Sequence, residues 1–279
     1  MAVQFRSYQA GEGSSGDYER VCGFLRRINA KKMVSPNYLW ARWLWQFGPY
    51  MNMELATYES DVGEAFFCLD SAYGFLKEAM IDYALEHLAR DGSLRLLLPD
   101  GDLDFEQTAL GKGFTATTEK EAVARIDCGR LEADLPPGFS VLSFADAGFE
   151  ADRYYEAIWR GFDNQRPRNE RELEAVKDRL EFHAPHWNNA LRVLIVAPNG
   201  DYAAHCGMWY LPGDEYAYVE PVFTLPEYRR MGLGKAAVLE GVNRCRDLGA
   251  ACAYVGSSQQ FYYSIGFYPF ANETWWNLG

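Results

Sequence analysis

The sequence lacks most of the features that would announce a specialised chemistry. Its six cysteines (Cys22, Cys68, Cys128, Cys206, Cys245, Cys252) are scattered, with no C-x-x-C pair. That spacing excludes the usual zinc frameworks and a disulfide scaffold, and reads the cysteines as reduced, mostly buried, small apolar residues. There are four histidines, His87, His183, His186 and His205. His183-x-x-His186 has no third ligand close by and no nucleophile triad is formed, so no metal site is expected. Apolar runs of about 18 residues are missing, and the opening MAVQFRSYQAGEG has no apolar core of signal-peptide length, so no membrane partner and a cytoplasmic location are expected. Basic blocks are missing as well: 27 Lys+Arg stand against 39 Asp+Glu, a net charge of -12. Without a row of cations to follow a phosphate backbone, nucleic acid is not an expected partner.

What is present is 279 residues, 48% hydrophobic and 24% charged, the composition of a soluble globular protein long enough for two cores. Leu135-Pro136-Pro137-Gly138 interrupts regular structure and reads as a linker. The chain after this segment resembles the chain before it. Phe5-Arg-Ser-Tyr8 and then DYERVCGFLRR parallel Val141-Leu-Ser-Phe144 and then EADRYYEAIWRGF. KEAMIDYALEHLARDG, SLRLLL and FEQTALGKGF parallel KAAVLEGVNRCRDLGA, ACAYVG and QFYYSIGF. Four pairs in one order predict a tandem duplication: a first domain over 1–134, a linker at 135–138 and a second domain over 139–279.

In the second half a strand is expected over 139–144 and helices over 149–162 and 170–182, the latter opened by Asn169 with Glu172 three residues on. LRVLIVAP, AAHCGMWYL and EYAYVEPVFT read as a three-strand meander with turns at Asn199-Gly200 and Pro212-Gly213-Asp214. A helix stopped by Gly249, the strand ACAYV, a short helix and one or two final strands complete the chain.

Between the meander and that helix stands PEYRRMGLGKAAV. Gly232 and Gly234 at a helix start let backbone approach a ligand, and the unpaired N–H groups there favour an anion. The stretch formally fits G-x-G-x-x-A, but a dinucleotide fold fails on context. Pro226 to Arg230 intervene between strand and glycines, no acidic residue ends the next strand, and too little chain remains.

Arg229-x-x-Gly232-x-Gly234 instead resembles the R/Q-x-x-G-x-G/A loop of the GNAT (GCN-related N-acetyltransferase) superfamily, and Phe261-Tyr262-x-x-x-Gly266-Phe267 resembles that family's F-Y-x-x-x-G-F motif. The resemblance implies an α+β fold of two GNAT-like domains, each a largely antiparallel mixed sheet flanked by helices. It implies acetyl-coenzyme A as acyl donor, its pyrophosphate cradled by Arg229, Arg230, Met231, Gly232, Leu233, Gly234, Lys235 and Ala236. Its acyl arm would lie against the strand at Val222, Phe223 and Thr224. Counting in twos from Thr224 puts Val222, Glu220 and Tyr218 on one face. Glu220 is then the candidate general base with Tyr218 a water-positioning neighbour, and the competing reading pairs Glu220 with an arginine at a strand end. Tyr262 matches the family tyrosine that protonates the departing thiolate; a phenol with an ordinary pKa of about 10 is protonated at neutral pH.

The first copy departs at each of these positions. Ser71-Ala-Tyr-Gly-Phe75 carries no arginine, and Ala109 stands where the tyrosine should be, so this domain is expected to keep the fold without the cofactor site. Trp40, Trp43, Trp45, Trp275 and Trp276 read as packing. The expected activity is direct acetyl transfer from acetyl-coenzyme A to a primary amine of a small molecule, by a monomer or homodimer without metal. The alternative is a non-catalytic acyl-coenzyme A sensor.

Overall fold

The computed structural model describes residues 5–6, 16–29, 63–132, 134–164, 166–167, 169–171 and 186–279. In chain order they form α1 (Gly16–Asn29), β1 (Gly63–Phe66), a 3-10 turn (Ser71–Leu76), α2 (Lys77–His87), β2 (Leu94–Pro99), α3 (Leu103–Gly111), β3 (Phe114–Asp127), β4 (Ser140–Ser143), α4 (Ala151–Gly161), β5 (Arg192–Val196), β6 (Tyr202–Trp209), β7 (Tyr216–Thr224), α5 (Leu233–Asp247), β8 (Cys252–Val255), α6 (Gln260–Ser264) and β9 (Tyr268–Leu278). The expected helix over 170–182 beyond Arg171, its cap partner Glu172, Trp40, Trp43, Trp45 and His183 lie outside the described residues. Phe5 and Arg6 are not in a strand, and Ser7 and Tyr8 lie outside the described residues.

Two compact units divide the chain: residues 1–124, 256–258 and 269–279 in one, residues 125–255 and 259–268 in the other. In the first, the strands run in the order β1-β2-β9-β3. β1 and β2 are parallel, from Gly63↔Leu94 to Phe66↔Leu97, and the connection between them is α2. β9 runs antiparallel along β2, from Arg95↔Asn277 to Pro99↔Glu273. Residues 269–279, assigned from the sequence to the second domain, therefore pack in the first unit, because β9 takes its backbone partners from β2. Leu94, Leu96 and Leu98 alternate to one face and meet Ile81 and Ala84 of α2, Phe105 and Ala109 of α3, Phe114 and Trp276. Trp275 points the other way, under the Arg95 guanidinium at 4.4 Å. Both tryptophans are buried, as packing roles require.

In the second unit the order is β8-β7-β6-β5-β4. The expected three-strand meander is present, β5/β6 and β6/β7 being antiparallel, and β4 adds to it antiparallel to β5. β7 and β8 are parallel and joined through α5, the same strand, helix and parallel strand sequence as β1, α2 and β2. β6 is buried along its whole length, because α4 covers one face and α5 the other. His205 packs between Phe144, Tyr154 and Phe223 on the α4 side. Cys206 and Met208 point to α5, where Gly241 leaves them room: a Cβ there would lie 2.8 Å from Met208 Cγ and 3.3 Å from Cys206 Sγ. α5 ends before Gly249, whose φ of +114° no residue with a Cβ adopts readily. The 135–138 segment is a turn closed by Phe139 N–H to Pro136 O at 3.2 Å, leading into β4. Among the described residues no helix is long and apolar enough to cross a membrane.

Candidate active site

The turn between β7 and α5 is built by its sequence. Pro226 opens a 3-10 turn, Arg230 and Gly232 take left-handed φ values of +65° and +81°, and α5 starts at Leu233. The helical ladder begins with Ala236 N–H to Gly232 O at 3.0 Å, so the N–H groups from Met231 to Lys235 stand ahead of it. Gly234 is needed for a different reason: a Cβ there would lie 2.9 Å from Thr224 Oγ1 and 3.4 Å from the Phe261 ring. The end of β7, the start of α5 and α6 thus converge at one point.

A cleft of about 670 Å³ opens over this turn, lined by Val222, Phe223, Thr224, Arg229, Arg230, Gly232, Leu233, Gly234, Lys235 and Tyr262 among others. The exposed Arg230 and Lys235 give its mouth a positive edge. Arg229 is otherwise engaged. Its guanidinium donates to Thr224 O (3.2 Å), Gly161 O (3.3 Å) and the Asp163 carboxylate (2.7 Å), which ties β7 to the end of α4. Phe223 turns its ring into the core with Tyr154 and Tyr155. Met231 is exposed, Ala236 is buried, and neither lines the cleft.

β7 does not keep a simple alternation. Its register with β6 runs Ala204↔Thr224, His205↔Phe223, Cys206↔Val222, then Met208↔Val219 and Trp209↔Tyr218. One residue of β6, Gly207, therefore faces two of β7, Glu220 and Pro221, which is a β-bulge. The common face expected for Tyr218, Glu220, Val222 and Thr224 is broken there. Val222 and Thr224 pair with Cys206 and Ala204 on the α5 side. Tyr218 pairs with Trp209, whose indole meets Trp187 at 5.6 Å on the α4 side.

Glu220 sits in the bulge and does not line the cleft. Burial pushes the Glu220 carboxyl up to about 7, against the opposing pull of Arg192. Burial also raises the Tyr262 hydroxyl above its ordinary value, and Cys206, Glu220 and Tyr218, each negative once ionised, oppose its ionisation further. Tyr262 is held by edge-on contacts with Phe261 (5.0 Å) and Phe267 (5.5 Å). β7 and β8 pair only from Tyr216↔Cys252 to Tyr218↔Tyr254, so the bulge and the residues after it lie beyond the paired segment of these two strands.

Sequence reasoning passed over Arg192, Trp187, Trp209 and Gly207, which hold the bulge. Arg192 Nη1 and Trp209 Nε1 both donate to Glu220 O, at 3.0 and 3.1 Å. An arginine opening an apolar strand reads as a solvated strand end, and only three-dimensional pairing shows it buried. His205 is buried, donates from Nδ1 to Val193 O at 2.9 Å and is lowered to about 3, so it is a neutral packing residue. No cluster of metal-ligating side chains occurs among the described residues.

Residues 151–269 match the model of the acetyltransferase (GNAT) family. The fold is similar to a GCN5-related N-acetyltransferase from Sphaerobacter thermophilus, with a TM-score of 0.55 at 14% identity over 77% of this chain and 71% of that one. It is similar to a tandem GNAT protein from the clavulanic acid biosynthesis pathway, with a TM-score of 0.54 at 13% identity over 77% of this chain and 75% of that one. It is also similar to a GCN5-related glucosamine N-acetyltransferase region of a fungal multi-domain beta-N-acetylglucosaminidase, with a TM-score of 0.50 at 16% identity over 71% of this chain and 27% of that one. No curated protein matches the chain in sequence.

Proposed function

We propose that the second unit, residues 125–255 and 259–268, carries an N-acetyltransferase site that moves an acetyl group from acetyl-coenzyme A to a primary amine of a small molecule, by direct attack with both bound. The observation that carries this reading is one cleft lined by both an anion-accepting helix start and a buried tyrosine. The match of residues 151–269 to the acetyltransferase family supports it.

The residues fit the donor. Its pyrophosphate would meet the N–H groups of Met231 to Lys235, where the helix dipole is positive and Gly232 and Gly234 carry no Cβ. Arg230 and Lys235 would add positive charge. Arg229 would act indirectly, by fixing the end of β7. Val222 and Thr224 would flank the acyl arm, which supplies the thioester. Glu220 accepts the proton that the attacking nitrogen sheds as the C–N bond forms, and Tyr262 gives its proton to sulfur as the C–S bond breaks.

The first unit repeats the strand, helix and parallel strand around β1, α2 and β2, and it reads as a second copy without the site. Its corresponding turn is filled by its own side chain, since Asp70 accepts from Ala72 N–H at 3.0 Å. Ala109 is wholly buried in its core.

Calorimetric titration with acetyl-coenzyme A is expected to give one site per chain, accompanied by release of free coenzyme A with at least one member of an amine panel. No binding would overturn the reading, and tight binding without release from any amine would favour an acyl-coenzyme A sensor. Gly234→Ala is expected to weaken donor binding about fivefold, on the order of 1 kcal/mol, because its Cβ pushes Thr224 and Phe261 toward the donor. An unchanged dissociation constant would remove Gly234 from the cradle.

A further inference from the structure

The Glu220–Pro221 bulge is held from behind by a side chain with no surface exposure. Arg192 opens β5 and is completely buried. Its guanidinium carbon lies 3.9 Å from the Trp187 ring centre and 4.1 Å from that of Trp209, so it is sandwiched between two indole faces. Nη1 donates to Glu220 O. Gly207 makes room for this: a Cβ there would lie 2.4 Å from Arg192 Nη1 and 2.5 Å from Glu220 O. The other edge of the guanidinium, Nε and Nη2, has no hydrogen-bond partner among the described residues. An unpaired buried donor is destabilising, and more so when it is charged, a cost set against the two indole faces and the bond to Glu220 O.

We infer that Arg192 is the positioning residue of the Glu220 carboxylate: clamped between Trp187 and Trp209, it fixes the bulge through the Glu220 carbonyl and supplies the positive charge against which Glu220 ionises. The inference rests on the reading of Glu220 as proton acceptor and adds what sets its poise. The surroundings leave that task to Arg192 alone among the described residues. Cys206 on β6, Cys245 on α5 and Tyr262 on α6 are raised by burial, and His205 on β6 is lowered to about 3, so all are neutral at pH 7. Arg192, although lowered to about 10 by desolvation, remains charged.

The test reads Glu220 itself in the full chain without substrate, by carbon NMR of the labelled glutamate carboxyls between pH 4 and 10, with Glu220→Gln to assign the signal. The wild-type midpoint is expected near 7. Arg192→Gln keeps a donor for Glu220 O and loses the charge, so its midpoint should rise by roughly one pH unit. Arg192→Lys keeps the charge and should stay near the wild type. If Arg192→Gln does not fold, Arg192→Met serves as the neutral variant. A neutral variant with the wild-type midpoint, or a lysine variant shifted as far as the neutral one, overturns the inference. Because no turnover is read, the role of Arg192 is decided even in a chain that proves inactive as a transferase.

Discussion

Replacing Glu220 by glutamine is expected to lower kcat/KM for the amine by about 10² to 10³ at pH 8, the usual worth of a general base, with acetyl-coenzyme A affinity unchanged. The wild-type profile should rise through a pH near 7, where burial has moved this carboxyl, and the rise should vanish in the variant. The competing reading, an ion pair with an arginine at the strand end, fits the geometry less well. Arg192 approaches the carbonyl of Glu220, and no ion pair is formed by its carboxylate among the described residues. The two readings also differ in stability. A carboxyl whose folded pKa is about 7 and whose unfolded pKa is about 4.5 binds its proton more tightly when folded. Its contribution is fully present below pH 4.5 and is lost as pH rises through 7, a difference on the order of 3 kcal/mol. Glu220→Gln should therefore melt at a higher temperature than the wild type at pH 8 and at a similar one at pH 4. A variant that is less stable at pH 8 and fully active would show a structural carboxylate.

The second unit was legible because its signals are local. β5, β6 and β7 read as strands from apolar runs between glycine turns, and α5 from a glycine start and a glycine stop. The turn at Gly232 was read from its glycines at a helix start, and Tyr262 from the resemblance of its stretch to a family motif. The first unit was less legible. β3 spans Phe114–Asp127, but its middle, Thr117 to Glu121, is polar and mostly exposed, so no alternating pattern marks it. β1 has four residues, of which Ala65 and Phe66 alone carry apolar side chains.

The placement of β9 could not be read from order along the chain. FYPFANETWWNL has strand composition wherever it goes, and its partner is decided by an available edge on β2. The same limit applied within the site. Counting in twos along β7 assumes an unbroken ladder, and the extra residue opposite Gly207 reverses the face of everything before it. Gly207 was the one sequence signal, an isolated glycine within a strand, which often marks a bulge. Arg192 left no such trace, since its role depends on Trp187, Trp209 and Glu220, which are brought together only by β5, β6 and β7 pairing.

Tyr262→Phe should lower turnover by about 10² with donor affinity nearly unchanged, since the hydroxyl is wanted only when sulfur departs. The phenylalanine keeps the ring contacts with Phe261 and Phe267, so folding should be little affected. Burial keeps this phenol protonated well past neutrality, so the wild-type rate should not fall below pH 10 on its account. A leaving-group series separates proton donation from any other use of the hydroxyl. A thioester whose thiol is more acidic than coenzyme A departs with less help, so the gap between wild type and Tyr262→Phe should close as thiol acidity increases. Because the proton that Tyr262 gives must be matched by one that Glu220 takes, the gap for Glu220→Gln should persist across the same series. Equal turnover of the two proteins with acetyl-coenzyme A, or a gap that ignores the leaving group, would remove Tyr262 from proton transfer and leave it as a wall of the cleft.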